Sequence, residues 1–409
     1  MANRRTVAAC DLGSSKVCVL VGQVQPAGYV DIVGVGEVAC AGIKRGIIVD
    51  IEQAANTIRR AVQKAEQMSG VPVHSVTLGL SGSHIGAMFS SGVVATARED
   101  KEITLDDISR ATEAARLVPL GPDQQVVHVI PRQFLVDGFE GIRDPTGMVG
   151  SRLEVQALVV TGSQNAIQNV IRAVERAGLA VDDIVLSSMA AGRAVLSEAE
   201  REAGTVVIDT GAGTTDFAWF EGGMLRWVGV VPLGGDNITA DISVGLRLPI
   251  PQAEEIKKSH GVALEEWAGD DELISLSGPG SEGRQLSEAV LARIIEPRAE
   301  EILSMVADRL MPAGLRTAVP SGVVLTGGTA GLRGFRELAE KIYNLPVRLG
   351  RPDPLGSMAD MLADPAHACA VGLLQYGAGL ASQSTQGVPS RRHENGVLSR
   401  LWEFLTQWF

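Results

Sequence analysis

Val206-Val207-Ile208-Asp209-Thr210-Gly211-Ala212-Gly213-Thr214-Thr215-Asp216-Phe217-Ala218-Trp219-Phe220 is the stretch whose reading decides the fold. A β-branched run ends in an aspartate, a turn of glycines and hydroxyls follows, and a second apolar run begins at Phe217. Glycines let backbone N–H groups approach phosphate oxygens closely, and Ser and Thr hydroxyls add donors. The Gly-Ala-Gly-Thr-Thr-Asp run is longer than a hairpin turn requires. It reads as a phosphate loop. It is not a Rossmann fingerprint, because no GxGxxG opens a helix, and it is not a P-loop, because GxxxxGK[ST] is missing.

The same grammar stands near the start of the chain, where a strand-like run leads into Asp11-Leu12-Gly13-Ser14-Ser15-Lys16 and a further strand follows. Alone, this second stretch would pass as a tight turn. As a pair, the two turns imply two lobes built alike, with their loops face to face. Gly13, Ser14, Ser15, Gly211, Gly213, Thr214 and Thr215 are then the expected phosphate donors, with Lys16 as a point charge. Asp11 and Asp209 can hold Mg²⁺ through water, since Mg²⁺ keeps most of its hydration shell. A third piece, Leu325-Thr326-Gly327-Gly328-Thr329-Ala330, ends a strand in bare backbone on which a flat base can lie.

These three pieces resemble, in order and spacing, the phosphate-1, phosphate-2 and adenosine motifs of the actin–Hsp70–sugar kinase superfamily. Within it the chain is similar to the FtsA family of bacterial cell-division proteins, over nearly its whole length. The likeness includes LSGSHI at 80–85, ALVVTGSQNAIQNVIRAVERAGL at 157–179, and the aromatic C-terminal segment. The resemblance implies an α/β, actin-like (ribonuclease H-like), duplicated two-lobe fold with a nucleotide cleft and an α+β insertion in each lobe. It implies ATP and Mg²⁺ as ligands, and brings Glu254, Lys257 and Lys258 to the ribose and adenine. Without the family, AEEIKK is a charged helix face. Actin relatives place a polar or acidic residue before the helix at 164–178 to position the attacking water. Gln164 fills that place, and Gln can orient water. With Asp11 and Asp209 it completes the expected catalytic set. The stretch SQNAIQNV holds no carboxylate, so at most a slow ATPase is expected.

The implied organisation is a first lobe at 1–83, 163–203 and 354–380, with a subdomain inserted at 84–162. A second lobe spans 204–239 and 301–353, with an insertion at 240–300 whose Gly/Ser-rich stretch 277–284 reads as a loop. Residues 381–396, polar with Gly and Pro, read as a flexible linker. Residues 397–409 follow. Their apolar pairs at 397/398, 401/402, 404/405 and 408/409 make one broad face of a helix too short to span a bilayer. Such a helix lies in the interface. Leu398, Leu401, Trp402, Phe404, Leu405, Trp408 and Phe409 are its expected membrane contacts, and Arg391, Arg392 and Arg400 face anionic lipid.

The 409 residues carry a formal net charge of -12, which works against general nucleic-acid binding. The four cysteines form no CxxC pair and the six histidines no metal-binding spacing, as expected in a reducing cytosol. The N-terminal apolar run is broken at Asp11 and Gly13, unlike a signal peptide. The resemblance implies a peripheral protein on the cytoplasmic face of the membrane at the division site. Its implied partners are the tubulin-like FtsZ at residues 240–300, downstream division proteins at the first insertion, and further copies of itself in a head-to-tail filament. The alternative is a small-metabolite kinase of the same superfamily, which needs a catalytic Asp in a first-lobe substrate pocket, with Asp137 and Asp144 of the insertion as the candidates. A chaperone of the Hsp70 type is disfavoured, since no substrate domain follows.

Overall fold

The computed structural model describes residues 5–25, 29–269, 273–276, 285–310, 319–353 and 358–383. The expected loop at 277–284 and the expected membrane helix at 397–409 lie outside the described residues.

The first lobe opens with a meander, β1 (Thr6–Leu12), β2 (Lys16–Val24) and β3 (Val30–Ala39), paired antiparallel with Asp11 opposite Cys18. A short hairpin, β4 (Ile43–Lys44) and β5 (Ile47–Ile48), leads to helix α1 (Ile51–Ser69). Asp50 caps this helix by accepting from the Gln53 amide, and Gly70 ends it at φ 67°. Its Ala54, Ala55, Ile58, Ala61, Val62 and Ala65 face the sheet, as the 3.6-residue spacing predicts. Strand β6 (Ser75–Leu80) then runs parallel to β1.

Residues 86–163 form a separate antiparallel sheet. Strand β7 (Gly86–Ala95) is followed by helix α2 (Leu105–Arg116), β8 (Gln124–Val136), β9 (Phe139–Ile142) and β10 (Arg152–Ser163), in spatial order β7-β10-β8-β9. Helix α2 covers it over a small core of Ile103, Ile108, Phe134, Leu153 and Val155. This unit also reaches the second lobe. The Phe89 ring packs 5.1 Å from Trp227 of that lobe, with the Arg132 guanidinium 4.3 Å over the same Phe89 ring, and Arg143 pairs at 2.6 Å with Glu202, just ahead of the second lobe.

Helix α3 (Gln164–Arg176) and strand β11 (Ala180–Leu186) complete the first lobe, whose sheet order is β11-β6-β1-β2-β3. Helices α4 (Ser187–Val195) and α5 (Glu198–Ala203) lead into the second lobe, which repeats the plan. Strands β12 (Thr205–Thr210), β13 (Thr215–Glu221) and β14 (Met224–Val231) form an antiparallel meander. Helices α6 (Gly235–Leu246) and α7 (Ile250–His260), a small hairpin of β15 (Leu273–Ser275) and β16 (Gln285–Ser287), and helix α8 (Glu288–Leu310) follow. Then β17 (Val323–Thr326) and β18 (Val347–Leu349) pair parallel beside β12, giving the order β14-β13-β12-β17-β18. Strand for strand this is the first lobe again, so the duplicated two-lobe α/β fold stands.

Two expected boundaries fall inside elements. Helix α8 is continuous through residue 300, and the last described helix, Ala368–Gln383, runs three residues into the segment expected as linker. That helix crosses α4 at Gly372, where any Cβ would overlap the Ala190 carbonyl. The close approach joins the lobes through one continuous core that includes Leu20, Leu80, Ala190, Val207, Phe220 and Leu373. Among the described residues, no helix is long and apolar enough to cross a membrane.

Candidate functional site

The β1–β2 turn and the β12–β13 turn meet across a cleft of about 770 Å³. They are in contact: a Cβ on Gly213 would overlap Ser14 Oγ. The cleft is lined by Asp11, Gly13, Ser14, Ser15 and Lys16 from the first lobe, and by Asp209, Gly211, Gly213 and Thr214 from the second. Gly327, Gly328 and Thr329 close one end, beside Glu254, Lys257 and Lys258. Gly327 sits at φ 86°, and a Cβ there would overlap Asp209 Oδ1, so both its conformation and its neighbour require glycine. Thr329 Oγ1 donates to the Gly211 carbonyl at 2.9 Å, tying the third motif to the second.

Two expected residues are placed elsewhere. Thr215 is buried in β13, with its hydroxyl donating to the Leu233 carbonyl at 2.9 Å. Side chains alternate along a strand. Thr214 and Asp216 share the cleft side, so Thr215 faces away. Gln164 is exposed at the first turn of α3, where Ser163 is the N-cap, and its amide donates to the Asp123 carbonyl. It does not line the cleft, so it is not in place to orient a water there.

What lines the cleft instead is Asp216, with Ser81. Ser81 Oγ donates to Asp216 Oδ2 at 2.7 Å, and Thr214 Oγ1 to the same oxygen at 2.9 Å. Sequence reasoning quoted Asp216 as the end of the motif but gave it no role. The period-two alternation from Thr214 was the signal that could have found it. The SQNAIQNV stretch at 163–170 brings no carboxylate to the cleft, whereas β13 brings Asp216.

The electrostatics set these carboxyls apart. Burial pushes Asp11 up from the usual carboxylate range, although Cys369, Lys16 and His367 pull the other way. Burial, then repulsion from Asp216 and Asp11, raises Asp209 well above its ordinary value. Burial raises Asp216 to about 7, despite the bonds from Ser81 and Thr214. Buried carboxyls converging on one cleft strain against ionisation unless a cation joins them. Their hard oxygens suit a divalent ion that keeps its waters. Among the described residues no three Asp, Glu, His or Cys side chains form a direct metal cage.

At the other end Glu254 holds Lys257 at 2.7 Å and Lys258 at 3.2 Å, and also accepts from Thr239. Lys257 Nζ further donates to the Gly235 carbonyl at 3.0 Å. Burial would raise Glu254, but the bonds from Lys257 and Thr239 hold it below its usual range. The kinase alternative finds no support here. Asp137 accepts from the Ser151 and Arg152 amides and Asp144 from the Thr146 amide, so both close turns of the insertion away from the cleft.

The family model for cell division protein FtsA matches residues 206–372, and a model for the SHS2 domain inserted in FtsA matches residues 82–161. Cell division protein FtsA of Pseudomonas aeruginosa is 41% identical over 91% of this chain and 89% of its own length. That of Bacillus subtilis is 41% identical over 92% of this chain and 84% of its own. The chain belongs to the FtsA family of cell division proteins. Among solved structures, a PilM–PilN type IV pilus biogenesis complex covers 92% of this chain and 99% of the other, at 18% identity and a TM-score of 0.67. MreB 5 of Spiroplasma citri, bound to AMPPNP, covers 94% and 99% at 15% identity and a TM-score of 0.56. The fold is therefore that of the actin-like ATPases, and the FtsA-family match reaches across both lobes and the first insertion.

Proposed function

We propose that this FtsA-family chain binds ATP with Mg²⁺ between its two glycine turns and acts as the filament-forming membrane tether of the division ring. The observation that supports this most is the contact of Ser14 with Gly213 across a cleft lined by Asp11, Asp209 and Lys16. Backbone donors and hydroxyls from both lobes then hold phosphate, and Mg²⁺ neutralises the charge that phosphate and the buried carboxyls share. Gly327 and Gly328 accept the base, with Glu254, Lys257 and Lys258 at the ribose. Asp216, rather than Gln164, is the residue in reach of an attacking water, and its value near neutrality suits a general base.

On this reading the protein polymerises head to tail through contacts that do not close. The segment 397–409 lies on anionic lipid at the cytoplasmic face, FtsZ docks on the second-lobe insertion, and later division proteins meet the first. The test is recruitment of FtsZ polymers to anionic vesicles by the full chain. ATP with Mg²⁺ should be required, and recruitment that is absent, or the same without nucleotide, rejects the reading.

A further inference from the structure

Lys16 is the one cation that the first lobe adds to the cleft lining among the described residues. Its amine is already engaged. It donates to Glu37 Oε2 at 2.7 Å, and the same carboxylate oxygen lies 3.1 Å from His367 Nε2. Glu37 stands on β3, two strands from the first turn, and reaches the cleft at its rim, 44% exposed. His367 ends the short turn Pro365–His367 that leads into the last described helix, and it is largely buried. The second lobe's cleft cations are held in other ways, Lys257 and Lys258 by Glu254 and Arg333 by Glu288.

This arrangement has a consequence for any polyanion entering between the turns. Phosphate must take Lys16 from a carboxylate that already makes a short, charge-assisted bond with it. The displaced carboxylate is not stranded, because His367 Nε2 remains 3.1 Å from it and donates to it in the Nε2–H tautomer. Loss of the lysine therefore leaves Glu37 partnered, which lowers the cost of exchange relative to a carboxylate with no second neighbour.

We propose that Glu37 is a resident counter-ion that occupies Lys16 until phosphate replaces it, with His367 holding Glu37 after the exchange. The pair then tunes nucleotide affinity from outside the phosphate loops. Glu37 and His367 are positioning residues, and the proposal rests on the nucleotide reading above.

The experiment is titration of the full chain with ATP and Mg²⁺, followed by calorimetry, in two double-mutant cycles. Glu37→Gln should tighten binding about fivefold, the scale of a half-exposed ion pair. The same replacement should change nothing in a Lys16→Met background. His367→Ala should weaken binding about threefold, again a screened-pair effect. His367→Gln, which keeps a donor, should restore it, and neither change should act in the Glu37→Gln background. Weaker or unchanged binding in Glu37→Gln overturns the counter-ion role, as does a gain that survives Lys16→Met. A wild-type chain that binds no ATP at all overturns the nucleotide reading itself and the counter-ion role with it.

Discussion

Ser81 Oγ lies 2.7 Å from Asp216 Oδ2 and donates to it from the opposite lobe. Ser81 follows β6 in the first lobe, and Asp216 stands on β13 in the second. The Asp216 carboxylate of the second lobe is thus held by a hydroxyl of the first, so its orientation depends on how the two halves of the cleft sit against one another.

We predict that Asp216→Asn lowers single-turnover phosphate release from ATP about 100-fold, the usual scale for a lost general base, while ATP still binds. In the wild type, release should climb as pH rises through about 7, because only the ionised carboxylate accepts a proton. A variant that turns over as fast as wild type, or a profile flat across that region, rejects the assignment.

Gly211→Val should cost nucleotide affinity about tenfold or more, equivalent to ~1.4 kcal/mol. A Cβ at Gly211 would stand 3.3 Å from the Thr214 carbonyl, a tight approach to which the turn must give by a few tenths of an ångström, and the added methyls would crowd the proposed phosphate position. Titration with a fluorescent ATP analogue reads the loss, and a cooperative circular-dichroism melt shows that the fold is kept. Undiminished affinity removes the second turn from the site.

The first insertion should be acid-labile through Asp107. This fully buried carboxylate accepts from the Thr104 amide at 2.9 Å, Thr104 Oγ1 at 2.7 Å and the Ala97 amide at 3.1 Å, and pairs with Arg110. Burial alone would raise it, but these bonds hold it below the usual range. A lowered folded value means the stabilisation is present above about pH 4 and drains away as pH falls through the folded value. Asp107→Asn should cost about 1–3 kcal/mol at neutral pH and flatten that acid dependence. Hydrogen exchange of amides 86–163 measures both, and an unchanged acid profile counts against the account.

Removal of residues 397–409 should release the chain from vesicles of anionic lipid while leaving ATP binding intact. Co-sedimentation with vesicles decides it, and a truncated chain that pellets as fully as the intact one ends the tether reading.

Much of this was legible because glycine and aspartate carry local meaning. The strand–Asp–Gly grammar at Asp11 and Asp209 announced both the duplication and the cleft, and Thr326-Gly327-Gly328 supplied its third wall. The helix Ile51–Ser69 followed from its spacing. Gln164 misled because chain order places it at the start of a helix, whereas its direction is set by the Ser163 cap and by Asp123 from the insertion. Thr215 misled because a motif read as a string ignores the pleat that turns every second side chain away. Ser81 was quoted within LSGSHI but without a role, and Glu37 and His367 had no local signature at all. Their roles arise from contacts between residues 135, 21 and 330 positions apart in the chain.

Phe89 against Trp227 gives the first insertion a last significance. That unit grows from one lobe through the segment after Ser81 and leans on the other through the aromatic pair, with Arg143–Glu202 at the junction of the two. The two lobes and the insertion make a triangle, like the braced corner of a truss. Were the lobes to change angle, the brace at Phe89 would have to slip or the insertion would have to turn with them, and the change would then be carried to the far surface of the molecule.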